Sequence, residues 1–369
     1  MDYLKTFPLQ SISLEEAEQL QFKLIDSITR HFSGIEILSL GDLGVVLGEN
    51  KPACTLKVEN VLADFFDAEA AILVRGAGTG ALRWSFISVL QPGGTLLIHD
   101  APVYPTTRVT LESMGVRTVA VNFNDAQLLR ELSEKLHERF DAVLVQHTRQ
   151  KIDDGYDFEE VISVLKSAYP RTPIITDDNY AALKVPKIGC QAGADLATFS
   201  CFKTLGPEGI GVVLGKRALI EKIHQYQYSG GSQVQGHEAM AVLRGMAYAP
   251  VALAIQSRVC EEIVTRLNHG EVPHVRKAFI ANAQSKVVLV EFDEEIAAKI
   301  LELTPRLGAA AHPVGSESIY EIAPMIYRIS GTFRNYDPSL EKRMLRINPM
   351  RSGAATVIRI LAEAIEMIH

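Results

Sequence analysis

The sequence predicts an α/β fold: a mostly parallel sheet, then a smaller α/β unit. Three observations predict it. Between about residues 55 and 235, short apolar runs alternate with helical patterns, the order in which a doubly wound sheet is laid down. A glycine-rich turn, Val74-Arg-Gly-Ala-Gly-Thr-Gly-Ala81, joins one such run to a helix. A lysine, Lys203, ends another run and precedes a second glycine-rich turn and a further apolar run.

Taken in order, residues 14–32 read as an amphipathic helix with Leu14, Ala17, Leu20, Leu24 and Ile25 on one side. The strand candidates are Ala71–Val74, Thr95–His99, Arg117–Asn122, Ala142–Gln146, Pro173–Thr176, Leu196–Ser200 and Ile210–Leu214. Helical stretches lie between most of them, among them Leu82–Val89, Ala126–Glu138 and Phe158–Ala168. The last two strands are joined by a tight Gly-Pro-Glu-Gly turn with no room for a crossover helix, so their pairing is antiparallel. A long helical region, Ala239–Leu267, leads to strand Lys286–Phe292, helix Glu294–Leu303, strand Met344–Ile347 and a closing helix Ala354–Ile368. The expected division is an N-terminal helical segment at 1–50, a large ligand-binding domain at 51–245, and a small C-terminal domain with its linking helix at 246–369.

Composition narrows the partners. The chain has 369 residues, 47% hydrophobic and 22% charged, which is a folded globular protein long enough for two domains. A formal charge of −7 argues against nucleic acid, whose phosphates want a basic face. Cys54, Cys190, Cys201 and Cys260 show no paired spacing for zinc or disulfides, so no metal is expected and the cysteines read as small apolar residues in a reducing cytosol. Cys201 is close enough to Lys203 that a reactive role is the alternative. The start, Met1-Asp-Tyr-Leu-Lys-Thr-Phe-Pro8, has no signal-peptide pattern, and no apolar run of membrane-spanning length is read. The expected location is cytoplasmic.

Four features then carry the chemistry. The first is the glycine turn, where Gly78, Thr79 and Gly80 open a helix whose N-terminus suits an anion such as a phosphate. Gly76, Gly78 and Gly80, with Asp100 ending the next strand, also resemble a loose dinucleotide fingerprint, and the turn alone does not choose. The second is Tyr104, at the end of the strand that follows a proline–glycine turn, an aromatic able to stack on a flat ring. The third is Asp177-Asp-Asn-Tyr180: a carboxylate for a ring nitrogen, and a tyrosine able to hydrogen-bond a ring oxygen. The fourth is Lys203, with Ser200 before it able to contact a phosphate. Each has a plain structural alternative: a core tyrosine, an aspartate-rich turn or a solvated lysine. Together, an amine for a Schiff base and a carboxylate for a pyridinium nitrogen are what pyridoxal 5'-phosphate requires. A nicotinamide dehydrogenase accounts for none of the last three.

At this point the chain resembles the fold-type I pyridoxal-phosphate enzymes. Within them it is most similar to the cystathionine γ-lyase and methionine γ-lyase group and its aluminium-resistance-type relatives. The resemblance rests on Gly78-Thr-Gly-Ala81, Leu90-Gln-Pro-Gly93, Tyr104-Pro-Thr-Thr107, Asp177-Asp-Asn-Tyr180 and Ser200-Cys-Phe-Lys203, and covers about residues 70–235. It implies that Lys203 forms the Schiff base and shuttles the α-proton toward a quinonoid intermediate. It also implies that Asp177 pairs with the pyridine nitrogen, Tyr104 stacks on the ring, and Gly78, Thr79 and Ser200 hold the phosphate. Further, it implies a homodimer with the site at the interface, to which Tyr226, Tyr228 or the Ser229-Gly-Gly-Ser232 loop would reach. Phe202, Asp100-Ala-Pro-Val103 and Gln146-His-Thr-Arg149 depart from the group's pattern and bear on the reaction type.

The substrate is expected to be an amino acid. Its carboxylate calls for a fixed guanidinium. Arg346 fits on a strand of the second unit, with Arg351 and Arg328 as competitors. Arg149 stands as a candidate for a second anionic group, and His147 either as an acid or base near the ring or as a structural histidine. Elimination of a β or γ substituent would make a lyase, and reprotonation at the cofactor carbon would make an aminotransferase. The motifs favour the lyase. A non-catalytic scaffold is opposed by the intact Lys203 and Asp177.

Overall fold

The computed structural model describes residues 4–132, 139–283, 285–312 and 317–369. Strands β1 (Ala70–Arg75), β2 (Thr95–His99), β3 (Arg117–Val121), β4 (Ala142–Gln146), β5 (Ile174–Asp177), β6 (Leu196–Ser200) and β7 (Ile210–Gly215) form a seven-stranded sheet in the order β1-β7-β6-β5-β4-β2-β3. Every residue of β4, β5, β6 and β7 is buried, as apolar runs covered on both faces must be. Strands β2 to β6 run parallel, and β7 is antiparallel to both β6 and β1. The tight turn after β6 therefore does what its length requires.

The covering helices are α1 (Leu14–His31), α2 (Ala53–Phe65), α3 (Ala77–Val89), α4 (Pro105–Ser113), α5 (Ala126–Arg130), α6 (Phe158–Ala168), α7 (Arg217–Tyr226) and α8 (Gly236–Asn268). Helix α1 is closed by a Ser13–Glu16 capping box. Its buried stripe is Ala17, Leu24 and Ile28, whereas Leu14 and Ile25, expected on that face, stand in solvent. Helix α3 starts five residues earlier than the expected Leu82, because Gly76 takes a left-handed φ of +98° and lets the helix begin at Ala77. The expected helix Ala126–Glu138 is observed as far as α5, and Ser133–Glu138 lie outside the described residues.

Strand β1 is an edge strand whose outer side is closed by a side chain. The Leu73 N–H donates to Glu59 Oε1 at 2.9 Å, and Glu59 is held in turn by buried Lys51 at 2.6 Å. The edge thus keeps its donor satisfied and unavailable for pairing.

A second, four-stranded antiparallel sheet has the order β10-β11-β9-β8, from β8 (Val275–Ala283), β9 (Ser285–Phe292), β10 (Met325–Arg328) and β11 (Met344–Asn348). Its helices are α9 (Ala297–Leu303), α10 (Gly331–Tyr336), α11 (Leu340–Arg343) and α12 (Ala354–Glu366). Strands β8 and β10 were not among the sequence candidates. The helix expected from Glu294 begins at Ala297.

Helix α8 ties the two sheets together. Met240, Leu243 and Met246 pack in the core of the large sheet, and Cys260, Ile263 and Leu267 in that of the small one. Residue 246, the expected boundary, falls inside it. No apolar run of spanning length is expected from the sequence, yet residues 230–268 are long and apolar enough to qualify. The reason is packing: a helix that serves two cores must be apolar around most of its girth.

Candidate active site

A cavity of about 230 Å³ opens where the carboxyl ends of β4, β5 and β6 meet the start of α3. Parallel strands bring their following loops to one end of the sheet, and ligands bind there. Lys203, Asp177, Tyr104, Tyr180, Ser200, Gly78 and Thr79, all singled out from the sequence, line this one cavity.

The turn expected to cradle a phosphate is the first turn of α3. Gly76 N–H and Ala77 N–H donate to the Gly209 carbonyl, at 2.7 and 3.0 Å, which leaves the first-turn residues Gly78 and Thr79 on the cavity wall. A Cβ on Gly78 would lie 2.6 Å from the Asn179 amide, so only glycine lets the helix come this close. Gly80 does something else. Its Cα packs against the Arg75 carbonyl, where an added Cβ would sit at 2.0 Å, and it stands outside the lining. Thr79 Oγ1 and Thr106 Oγ1 are 2.9 Å apart at the rim.

Lys203 sits in a short turn, Cys201–Thr204, directly after β6. Its Nζ donates to Asn179 Oδ1 at 3.2 Å and lies 3.8 Å from the centre of the Tyr180 ring. Burial pushes the amine down to about 8, against the pull of Asp177 and Glu317. An amine so shifted is far more often a neutral nucleophile near neutral pH than an ordinary lysine. Burial pushes the Asp177 carboxyl up, while the Asn179 hydrogen bonds and the Lys203 charge pull it back. Asp177 Oδ1 accepts from Asn179 N at 3.1 Å and from Asn179 Nδ2 at 2.7 Å. Asn179, quoted in the motif but given no task, is the hub. Its Oδ1 also accepts from Ser200 N at 3.1 Å. Tyr180 holds a left-handed φ of 65°, a cost of about 1 kcal/mol or more that its neighbours sustain.

Alternation carried on past the end of β4 explains the next wall. Gln146, Thr148 and Gln150 face the cavity, so His147 and Arg149 face away. His147 Nδ1 meets buried Asp178 at 2.8 Å and its ring stacks on Phe158 at 3.6 Å, the structural role. Arg149 Nε donates to the Phe7 carbonyl at 3.1 Å and its Nη1 to the Tyr156 carbonyl at 2.9 Å. The loop is anchored by buried Asp154, which takes Gln150 N–H at 3.0 Å and His99 at 2.9 Å. Burial would raise Asp154, but the His99 and Lys151 hydrogen bonds prevail and hold it down at about 2.

Arg346 also lies outside this lining. It faces a separate cavity with Tyr327 and Arg328, and its Nε donates to the Arg328 carbonyl at 3.0 Å. Arg351 Nη1 donates to Gln256 at 3.0 Å, and Arg328 faces Glu341 at 3.6 Å. Tyr226 and Tyr228 are exposed, and the Tyr228 carbonyl accepts from Asn50. Cys201 is buried, its thiol pushed up by that burial, which removes the reactive alternative. The dinucleotide reading fails on topology. The glycine turn follows an antiparallel edge strand, and Asp100 is an exposed residue 3.8 Å from Lys151.

Residues 48–247 match the aminotransferase class-V family, and residues 261–361 match the YhfS-like C-terminal domain. The chain belongs to the aminotransferase class-V family. It is 53% identical over 365 residues to the uncharacterized protein YhfS of Escherichia coli (strain K12), spanning 99% of this chain and 100% of that one. The crystal structure of YhfS, described as a pyridoxal-5'-phosphate-dependent protein, superposes with a TM-score of 0.96 over the same shares. At 16% identity, a putative cystathionine β-lyase involved in aluminium resistance from Listeria monocytogenes shares the fold, with a TM-score of 0.70 and 96% of each chain covered. A methionine γ-lyase from Micromonospora echinospora does so at 15% identity, with a TM-score of 0.69 and 94% and 98% covered.

Proposed function

We propose that this chain is a pyridoxal-phosphate-dependent enzyme that acts on an amino acid through Lys203, and that its reaction is β or γ elimination. The observation that carries the reading is the pairing within one cavity of a depressed, buried amine with a buried carboxylate, beside an open helix N-terminus. The residues fit the cofactor: Lys203 for its aldehyde, Asp177 for its ring nitrogen, Tyr104 for its ring face. Gly78, Thr79 and Ser200 would take its phosphate. When bound, the cofactor supplies an electron sink for a substrate carbanion. Asp177 would keep the ring nitrogen protonated, and Lys203, once released, would take the α-proton. Asn179 would hold both in register. We assign the substrate carboxylate to Arg346, because the enzymes this chain resembles take that cation from a strand of the second domain, and Arg346 lies on β11.

The lyase assignment leans on the glycine, tyrosine, aspartate and lysine motifs, and aminotransfer is the second reading because the class-V match covers the same core. Incubating the protein with sulfur- and hydroxyl-bearing amino acids separates them. A lyase releases ammonia and a 2-oxo acid with no acceptor present. Turnover only when a 2-oxo acid acceptor is added would replace elimination with aminotransfer.

The reading includes a cytoplasmic homodimer, and exposed Ile35, Leu38, Leu40, Leu43 and Leu47 support association. It also includes the division of the chain at 50 and 245.

A further inference from the structure

Lys203 is not the only amine beside Tyr180. Lys184, on the turn after β5, is buried, and its Nζ lies 5.8 Å from the centre of the ring that Lys203 approaches to 3.8 Å. Two ammonium groups around one ring repel, and the repulsion grows as water is excluded. Lys184 has its own counter-ion: the fully buried Glu317 forms an ion pair with it.

Glu317 comes from the other end of the chain, between α9 and β10, at a left-handed φ of 74°. Its Oε1 accepts from Gln256 Nε2 of α8 at 3.1 Å, and Gln256 Oε1 accepts from Arg351 at 3.0 Å. A buried polar chain thus runs from the turn that carries Tyr180, through α8, to the loop after β11. Just beyond Glu317, Tyr320 lies 6.1 Å from Phe202, which lines the cavity. Joining these segments did not require charge, since apolar side chains of similar volume often do so at lower cost. What an apolar pair would not supply is a compensated charge at this place.

We propose that Lys184 and Glu317 are positioning residues for Lys203: their ion pair neutralises the second ammonium beside Tyr180 and fixes that ring against the Lys203 amine. The inference rests on Lys203 being the cofactor lysine. The groups around Lys203 are Asp177 from β5, Tyr180 and Lys184 from the next turn, and Tyr104 across the cavity, with Glu317 paired to Lys184. Glu317 faces Lys184, Arg351 and Cys260. Asp177 and Glu317 favour the protonated Lys203, and Lys184 opposes it. Removing the Glu317 charge alone therefore drives the Lys203 midpoint down, and removing both charges brings it back toward the parent value.

The test compares the parent with Glu317→Gln and with Lys184→Met/Glu317→Gln. The first readout is the pH dependence of Lys203 acetylation by limiting acetic anhydride in cofactor-stripped protein, followed by peptide mass mapping. The second is the pH dependence of the visible spectrum after pyridoxal phosphate is added. Glu317→Gln is expected to lower the midpoint by about one pH unit, and the double variant to bring it back toward the parent value. An unmoved midpoint in Glu317→Gln, or equal shifts in both variants, overturns the inference. If Glu317→Gln does not fold, Lys184→Met replaces it; an upward shift supports the inference and none overturns it. Borohydride trapping of cofactor on the parent's Lys203 checks the underlying reading separately. Its failure sinks that reading, whereas trapping with an immobile midpoint sinks only this inference.

Discussion

At the ends of β5 and β6, Asp177 and Lys203 turn into one cavity, while on β10 and β11, Arg328 and Arg346 turn back onto a neighbouring glutamate and their own backbone. The difference follows from topology. Neighbouring parallel strands end on the same side, so β5 and β6 deliver a carboxylate and an amine to one place, and burial then shifts both groups. In the antiparallel small sheet, β10 is an edge strand whose Arg328 carbonyl takes the Arg346 guanidinium instead. On the proposed reading, the large sheet holds the reacting groups and the small sheet holds the cation for the substrate carboxylate. Chemistry and recognition would then be separable by mutation.

Lys203→Ala breaks the comparison at its strongest point. Turnover is expected to fall roughly 10⁴-fold or more, with an unchanged melting temperature as the control for folding. Asp177→Asn comes next. A kcat loss on the order of 10²- to 10³-fold is expected while cofactor still binds, and unchanged turnover would remove Asp177 from the mechanism. The pH dependence sharpens the picture. Cofactor loading needs the neutral amine, so its rate should rise with pH up to about 8 and level off above it. Below that point the rate should drop about tenfold per unit, and a flat profile would mean that another group is the nucleophile. Arg346→Lys is the mildest change. It should raise KM about tenfold and leave kcat nearly intact, because a point charge replaces a fork. An unmoved KM would place the carboxylate elsewhere.

Much of this was legible in the sequence, for a physical reason. Strands β4 to β7 of the large sheet are buried on both faces, so they read as apolar runs, and the ends of β4, β5 and β6 mark the site. Strand β8 begins Val275-Arg-Lys, and β10 is only Met325–Arg328, so neither carries that signal. The period of two, carried past the end of β4, was available to place Gln146 and Thr148 inward and His147 and Arg149 outward. Asn179 gave no such sign, because its task lies in contacts to Asp177, Ser200 and Lys203 that only folding creates. The Lys184–Glu317 pair joins segments far apart in the chain, and no local pattern announces it.

The most direct test of the central claim is the visible spectrum of the purified protein with pyridoxal phosphate, before and after borohydride, with mass mapping of the labelled peptide. The account predicts a yellow protein whose colour is trapped as a cofactor adduct on Lys203. A protein that takes up no cofactor, or one labelled at another lysine, would contradict it.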